Sequence, residues 1–386
     1  MKKLLLLTLL CASQIQADET QNMNDSAMPV SSPVDSPKKP KTSRKKSGTG
    51  FFLTGDFIYW KAQEDNLEFG LTGLMQSVDN IPNATVVPGL SDSGETYSPV
   101  FEWSPGFKIG VGYVPARQGW EIYLNWCRFT THAHGKKGLP NSFFLPQLLY
   151  GQWNIGASGF DVDQAIFAKW KMDYNVLDLQ IGKELSIGRY FSLKPLAGLR
   201  GAWIDQDYHL TLDGITINNS KDNQSFKWID SDFRSLGFRT GLDSAWRFNS
   251  HFSFFSKASI SLLYGDFHNK YKCIRTIPAA GAFDQTIADI HNHYQSMKTE
   301  IEFALGFSYQ TLFNQNKMGF ACDIAWEYQN WMNLNQLYRP LMGDGSSAYN
   351  AGPPPSVYNY NSGGRFGHLN GDLGIMGLTV GARLDF

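Results

Sequence analysis

Eight histidines, four cysteines and 35 carboxylates are the side chains with which this chain could do chemistry. Two histidine pairs, His132/His134 and His291/His293, are each split by one residue. In an extended segment both rings of such a pair point the same way, which is half of a metal site. Neither pair has two further ligands beside it, so both read as surface histidines. Asp205, Asp207 and His209 share one parity and combine acids with an imidazole, but no nucleophile can be assigned to them. No G-x-S-x-G, Walker loop, H-E-x-x-H or paired C-x-x-C occurs. The residues therefore predict no enzyme, catalytic residue, metal or cofactor.

The cysteines are too few and too odd in number for a disulfide framework. Cys11 lies in the N-terminal apolar run, leaving Cys127, Cys273 and Cys322. Parity turns Cys127 inward and Cys322 toward lipid. Cys273 falls in an expected external loop, where it predicts a disulfide to a neighbouring chain.

The charged residues carry a clearer signal through their spacing. From residue 51 onward, apolar and polar residues alternate with period two in ten segments: 51–61, 105–114, 119–130, 165–183, 190–206, 232–248, 252–266, 294–309, 317–330 and 372–386. Such alternation makes strands with one apolar and one polar face. The polar face holds Lys108, Glu121, Lys194, Arg200, Arg239, Asp243, Arg247, Lys257, Lys298, Glu300, Glu302, Asp323, Glu327 and Arg383. In 165–183 the apolar parity switches after Val176, which predicts a β-bulge.

The intervals between segments alternate long and short, from 62–104 and 115–118 to 310–316 and 331–371. An up-and-down barrel in an outer membrane has this rhythm, with long loops outside and tight turns at the periplasmic side. The segments are also longer than the five or six residues usual in soluble sheets. Aromatic residues gather toward both strand ends. Tyr113, Trp120, Trp246, Phe248, Phe252, Tyr309 and Phe386 lie on the short-turn side; Tyr59, Trp126, Trp170, Trp203, Tyr264, Trp326 and Tyr328 lie on the other. Two such girdles mark membrane interfaces. A charge facing lipid at the midplane costs about 2–4 kcal/mol, so the polar face must enclose the lumen. The fold expected is all-β, a transmembrane antiparallel barrel of ten strands. Twelve strands result if 62–104 or 207–231 adds a hairpin.

Before residue 51 the chain is different. Residues 1–17 carry Lys2 and Lys3, an apolar Leu4–Leu10, and Ile15 and Ala17 at the −3 and −1 positions of a cleavage site, the pattern of a secretory signal peptide. Residues 18–50 are rich in Ser, Pro and Lys and read as a disordered basic linker in the periplasm. Eight of the 34 basic residues and four of the 35 acidic ones precede residue 51, leaving 26 and 31 in the barrel, near −5. That balance predicts no nucleic-acid partner and at most a mild preference for cations.

The stretches "PGFKIGVGY", "WEIYLNW", "MDYNVLDLQIGKE", "LKPLAGLRGAWIDQDY", "GFRTGLDSAWRF" and "LTVGARLDF" resemble the Legionella-type major outer membrane protein family, whose barrels also occur in chlamydia-related bacteria. The resemblance extends over about 51–386. It implies an outer-membrane porin, passing small hydrated solutes through a charged lumen lined by the residues above. It also implies that the terminal Phe386 is the signal read by barrel-assembly machinery. Outer-membrane lipid, lipopolysaccharide and further copies of the chain are the other expected partners. The alternative is a surface structural or adhesive barrel with a closed lumen.

Overall fold

The computed structural model describes residues 50–74, 94–115, 119–138, 147–151, 163–214, 224–277, 283–313, 318–341 and 365–386. The signal peptide, nearly all of the basic linker and the Pro/Gly/Tyr-rich stretch around 351–364 lie outside them.

Ten strands form the wall: β1 (Gly50–Glu64), β2 (Trp103–Val114), β3 (Trp120–Gly138), β4 (Asp163–Lys183), β5 (Phe191–Gly214), β6 (Gln224–Arg247), β7 (Phe252–Ile277), β8 (Phe283–Phe313), β9 (Met318–Asn335) and β10 (Gly371–Asp385). Each pairs antiparallel with its sequence neighbours. β10 also pairs with β1, from Phe52↔Asp385 to Glu64↔Leu373, which closes the ring. Closure gives every strand two neighbours; β8 is paired with β7 alone before Thr299, and β1 with β10 alone beyond Lys61.

Among the described residues neither region adds a hairpin to the wall: 207–214 lengthen β5 and 224–231 lengthen β6. In 62–104, Gly70–Leu74 and Gly94–Tyr97 join Gln147–Gly151 in a separate three-stranded sheet, and Val100–Phe101 pairs with β3. The tight turns are built by local chemistry. Gly119 and Gly188 adopt positive φ, and the Asn249 side chain accepts from the amides of His251 and Phe252 at 2.8 Å each.

The expected bulge in 165–183 is absent. β4 keeps one unbroken register against β3 from Lys183 to Ala165. What changes is the medium on each side. Leu177, Leu179 and Ile181 are exposed on the outside of the wall, whereas Ile166, Ala168, Trp170, Met172, Tyr174 and Val176 are buried inside it. Trp170 therefore belongs to the interior and not to an aromatic girdle.

The same exchange occurs on neighbouring strands. On β5 the outward series passes from Leu199 and Trp203 to Asp205, Asp207 and His209. On β7 it passes from Leu262 and Tyr264 to Asp266, His268 and Lys270. An apolar exterior with a charged interior gives way to a polar exterior with an apolar interior. This inversion fixes the outer edge of the apolar belt, at the level of Tyr59, Trp103, Trp203, Tyr264 and Trp326. Beyond it β5–β8 continue as a wall whose outer face is polar. That is why residues expected in external loops, including Cys273, lie on strands.

Candidate functional site

The interior is built in layers, starting at the short-turn end. Glu121 of β3 pairs with Lys194 of β5 at 3.1 Å and with Arg383 of β10 at 3.3 Å. Lys194 also meets Asp243 of β6 at 3.1 Å, and Arg383 meets Asp385 at 2.9 Å. The Arg383 guanidinium lies 3.5 Å from the Phe52 ring centre. Arg247 pairs with Glu184 at 2.8 Å near the rim. Water reaches this layer: Lys257 is exposed although it shares the parity of inward-facing Phe255 and Ser261.

The next layer is dry. Arg200 holds both oxygens of Asp178, at 2.6 and 2.7 Å, and also contacts Glu300 at 2.7 Å and Glu302 at 3.1 Å. Arg239 bridges Asp178 at 3.0 Å and Glu302 at 2.8 Å. Ser261 donates to Glu300 at 2.8 Å. The Arg200 side chain is 3% exposed and that of Glu300 is 0%. Charges this deep persist only when paired, because each ion loses its hydration. Lys108 pairs with Glu327 at 2.5 Å and lies 4.7 Å from the Trp60 ring centre.

Above the ion pairs the core becomes aromatic. Trp60, Phe129, Trp170, Tyr174, Ile204, Phe233, Phe267 and Trp331 are all buried. Tyr174 of β4 reaches across the barrel to β9, five strands away around the ring. There its hydroxyl donates to Gln329 at 2.8 Å, and its ring meets Trp331 edge-on at 5.9 Å. Two segments then fold inward over this layer. Leu67 and Phe69 follow β1, and Leu334 and Leu337 end and follow β9; all four are buried. The Tyr208 hydroxyl donates to the Leu67 carbonyl at 2.8 Å, and Asn335 donates to the Asp65 carbonyl at 2.6 Å. Each inward segment begins at an asparagine with positive φ, Asn66 at 65° and Asn333 at 52°. Asn tolerates the left-handed region better than most residues.

All fourteen charged residues singled out from the sequence lie on the inward-facing parity of the wall. The structure joins eight of them into two clusters and two more into a pair. Glu121, Lys194, Asp243 and Arg383 form one; Arg200, Arg239, Glu300 and Glu302 form the other, with the pair Lys108–Glu327 beside it. Arg247, Lys257, Lys298 and Asp323 stand apart. Lys298 donates to the Asn333 carbonyl at 2.5 Å, at the base of the inward segments. Asp178 is missing from the sequence reading, although, like Glu302, it is an acid that both arginines share. It falls where the apolar parity of β4 switches, flanked by Leu177 and Leu179. The layer of Trp60, Trp170, Tyr174 and Trp331 was missed for the same reason: both faces of these strands carry apolar residues.

The histidine pairs and the Asp205–Asp207–His209 triplet all face outward beyond the apolar belt. Asp205 sits opposite Asp173 and Asp232, and Asp207 opposite Asp230. Partial burial, reinforced by neighbouring carboxylates, raises the pKa values of Asp205, Asp230 and Asp232. His293 stacks on His268 at 4.3 Å and lies 3.6 Å from Asp266. Among the described residues no three acid, histidine or cysteine side chains converge to hold a metal ion. Cys322 is exposed on the outer face, and Cys127 is buried inside. The expected intermolecular disulfide of Cys273 is corrected by its position. It is 4% exposed and turned into the barrel beside Tyr271, out of reach of another chain.

Comparison with known structures gives barrels of low similarity. Escherichia coli outer membrane protease OmpT has a TM-score of 0.36 at 9% identity, over 87% of this chain and 96% of that one. A TodX deltaS2S3 mutant, a monoaromatic hydrocarbon channel, scores 0.30 at 8% identity, over 88% and 90%. A Pseudomonas aeruginosa FadL homologue scores 0.21 at 10% identity, also over 88% and 90%. Likenesses this distant carry no argument about activity. No curated protein matches the chain. The model of the family described as Legionella pneumophila major outer membrane protein precursor matches residues 45–386, and the chain belongs to that outer-membrane family.

Proposed function

We propose that this protein is a structural or adhesive barrel of the outer membrane, closed through its interior at rest, which carries the prolonged β5–β8 wall on the cell surface. The observation that supports this reading is the contact of Tyr174 with Gln329 and Trp331 across the full width of the barrel. That contact, and the burial of the described side chains around it, is what would bar hydrated solutes at the aromatic layer. Conductance of the purified, refolded protein in planar bilayers tests it. Wild-type insertions are expected to stay silent, and a Tyr174→Ala/Trp331→Ala double variant is expected to conduct. Frequent open steps from the wild type would reject the closed state.

A diffusion pore for small hydrophilic solutes, gated by this layer, is the second reading. It is favoured by the charged vestibule below, where Lys257, Arg383 and Asp385 face inward yet remain reached by water. In that case the wild type conducts intermittently, and the double variant prolongs its open times.

A further inference from the structure

Beyond the apolar belt the outward face of the wall is divided by charge. Alternate positions of 128–136 on β3 and of 167–175 on β4 lie side by side in register. These ten outward residues include Arg128, Lys136, Lys169 and Lys171 against the single acid Asp173, a net of +3, with His132 and His134 between them. The ten that continue the same rows on β5 and β6 include Asp205, Asp207, Asp230 and Asp232 against Arg234, a net of −3.

The basic ribbon starts at the belt and rises away from it. Arg128 stands in one row with Asn175 and Trp203, at the outer edge of the belt. Below it the same two strands expose Leu124, Leu177 and Leu179 to acyl chains. From Arg128 to Lys136 the ribbon runs about 26 Å along the strand, or about 20 Å in height at the tilt usual for such barrels. Phospholipid headgroups add only about 5–8 Å to each side of the hydrocarbon core, so they reach Arg128 and fall short of Lys169 and Lys136.

The acids nearby are already engaged. Asp173 is held by Lys171 at 2.5 Å and accepts from Thr130 at 2.7 Å, and Glu102, just before β2, lies 4.0 Å from His134. Arg128 and Lys169 make no ion pair among the described residues. Lys136 rests over the Phe167 ring, 4.9 Å from its centre. The ribbon therefore suits an amphiphile whose anionic groups continue well above the level of the headgroups.

We propose that the outward face of β3–β4 is a binding site for lipopolysaccharide, with acyl chains on the belt, a lipid phosphate at Arg128 and the acidic core sugars against Lys169 and Lys136. The site lies on the outer wall, so it does not depend on whether the lumen conducts.

The test is native mass spectrometry of the full-length refolded protein in detergent, each variant being read from its folded species. The probes are lipopolysaccharide with a phosphorylated core and no O-antigen, lipid A alone, phosphatidylglycerol, and the core oligosaccharide cut free of lipid. Saturable binding of lipopolysaccharide is expected, roughly tenfold or more tighter than phosphatidylglycerol or the free core. Arg128→Ala should weaken lipopolysaccharide and lipid A alike, about tenfold. Lys136→Gln/Lys169→Gln should weaken lipopolysaccharide roughly fivefold or more and leave lipid A unchanged. Lys270→Gln/Lys272→Gln, which removes the same charge from β7, should change neither. The proposal is overturned if lipopolysaccharide binds no tighter than phosphatidylglycerol or the free core, if Arg128→Ala has no effect, or if the two double variants lose affinity equally.

Discussion

Arg200 contacts three carboxylates in a dry layer, more than any other basic residue among the described ones. Removing one partner from a buried ionic group leaves the others uncompensated, which costs about 3–5 kcal/mol. Arg200→Ala is therefore expected to lose that much stability in urea unfolding of the protein in micelles, followed by tryptophan fluorescence. A loss below about 1 kcal/mol would mean that Arg239 alone satisfies Asp178, Glu300 and Glu302. Glu64 makes the opposite prediction. Its folded pKa of about 8 lies above the unfolded value near 4.5. The folded state then holds a proton that the unfolded state has released, so stability falls as pH rises between those values. Wild type should lose stability between pH 5 and pH 8 more steeply than Glu64→Gln, by urea midpoints across that range. Gln206 and Asp65 are the groups that face Glu64 and are unchanged in the variant.

At the scale of elements, the exchange of faces along a strand predicts where lysine is tolerated. Leu179→Lys on the outside of β4 places a charge in the apolar belt, at a cost of about 2–4 kcal/mol. Asp173→Lys, three outward positions further along the same strand, should stay within about 1 kcal/mol of wild type. The measurement is the same unfolding in lipid vesicles; equal penalties would remove the boundary. Strand number, order and the inward parity of residues such as Glu121 and Arg383 were legible, because period-two alternation survives wherever one face is wet and the other oily. The outer halves of β5–β8 were not legible. There the polar face turns outward, and the pattern looks like a slip of phase or a polar loop. Trp170 and Asp178 were misread or missed at that inversion. The contact of Tyr174 with Trp331 was beyond reach, since alternation says which side a residue faces and nothing about what it meets across the barrel.

At the scale of the whole molecule, closure rests on thirteen paired positions between β1 and β10. Phe386 lies just beyond them. Its amide donates to the Phe51 carbonyl at 2.9 Å, and its ring is exposed on the outside of the wall. Deleting Phe386 removes one hydrogen bond from a long seam. Unfolding midpoints of the refolded protein should therefore move little, while the amount inserted in cells should fall if assembly machinery reads the terminal aromatic. Equal cellular yield would remove that role from Phe386.

If the polar outer wall of β5–β8 stands on the cell surface, as proposed, it decides what an antibody against intact cells would meet. In one row across the strands stand Asp173, Asp205, Asp232, His268 and His293, each from a different strand and held in register only by the sheet. An epitope of this kind has no counterpart in any short peptide. Serum raised on whole cells against this row should stain the folded band of an unheated gel and lose it once the sample is boiled.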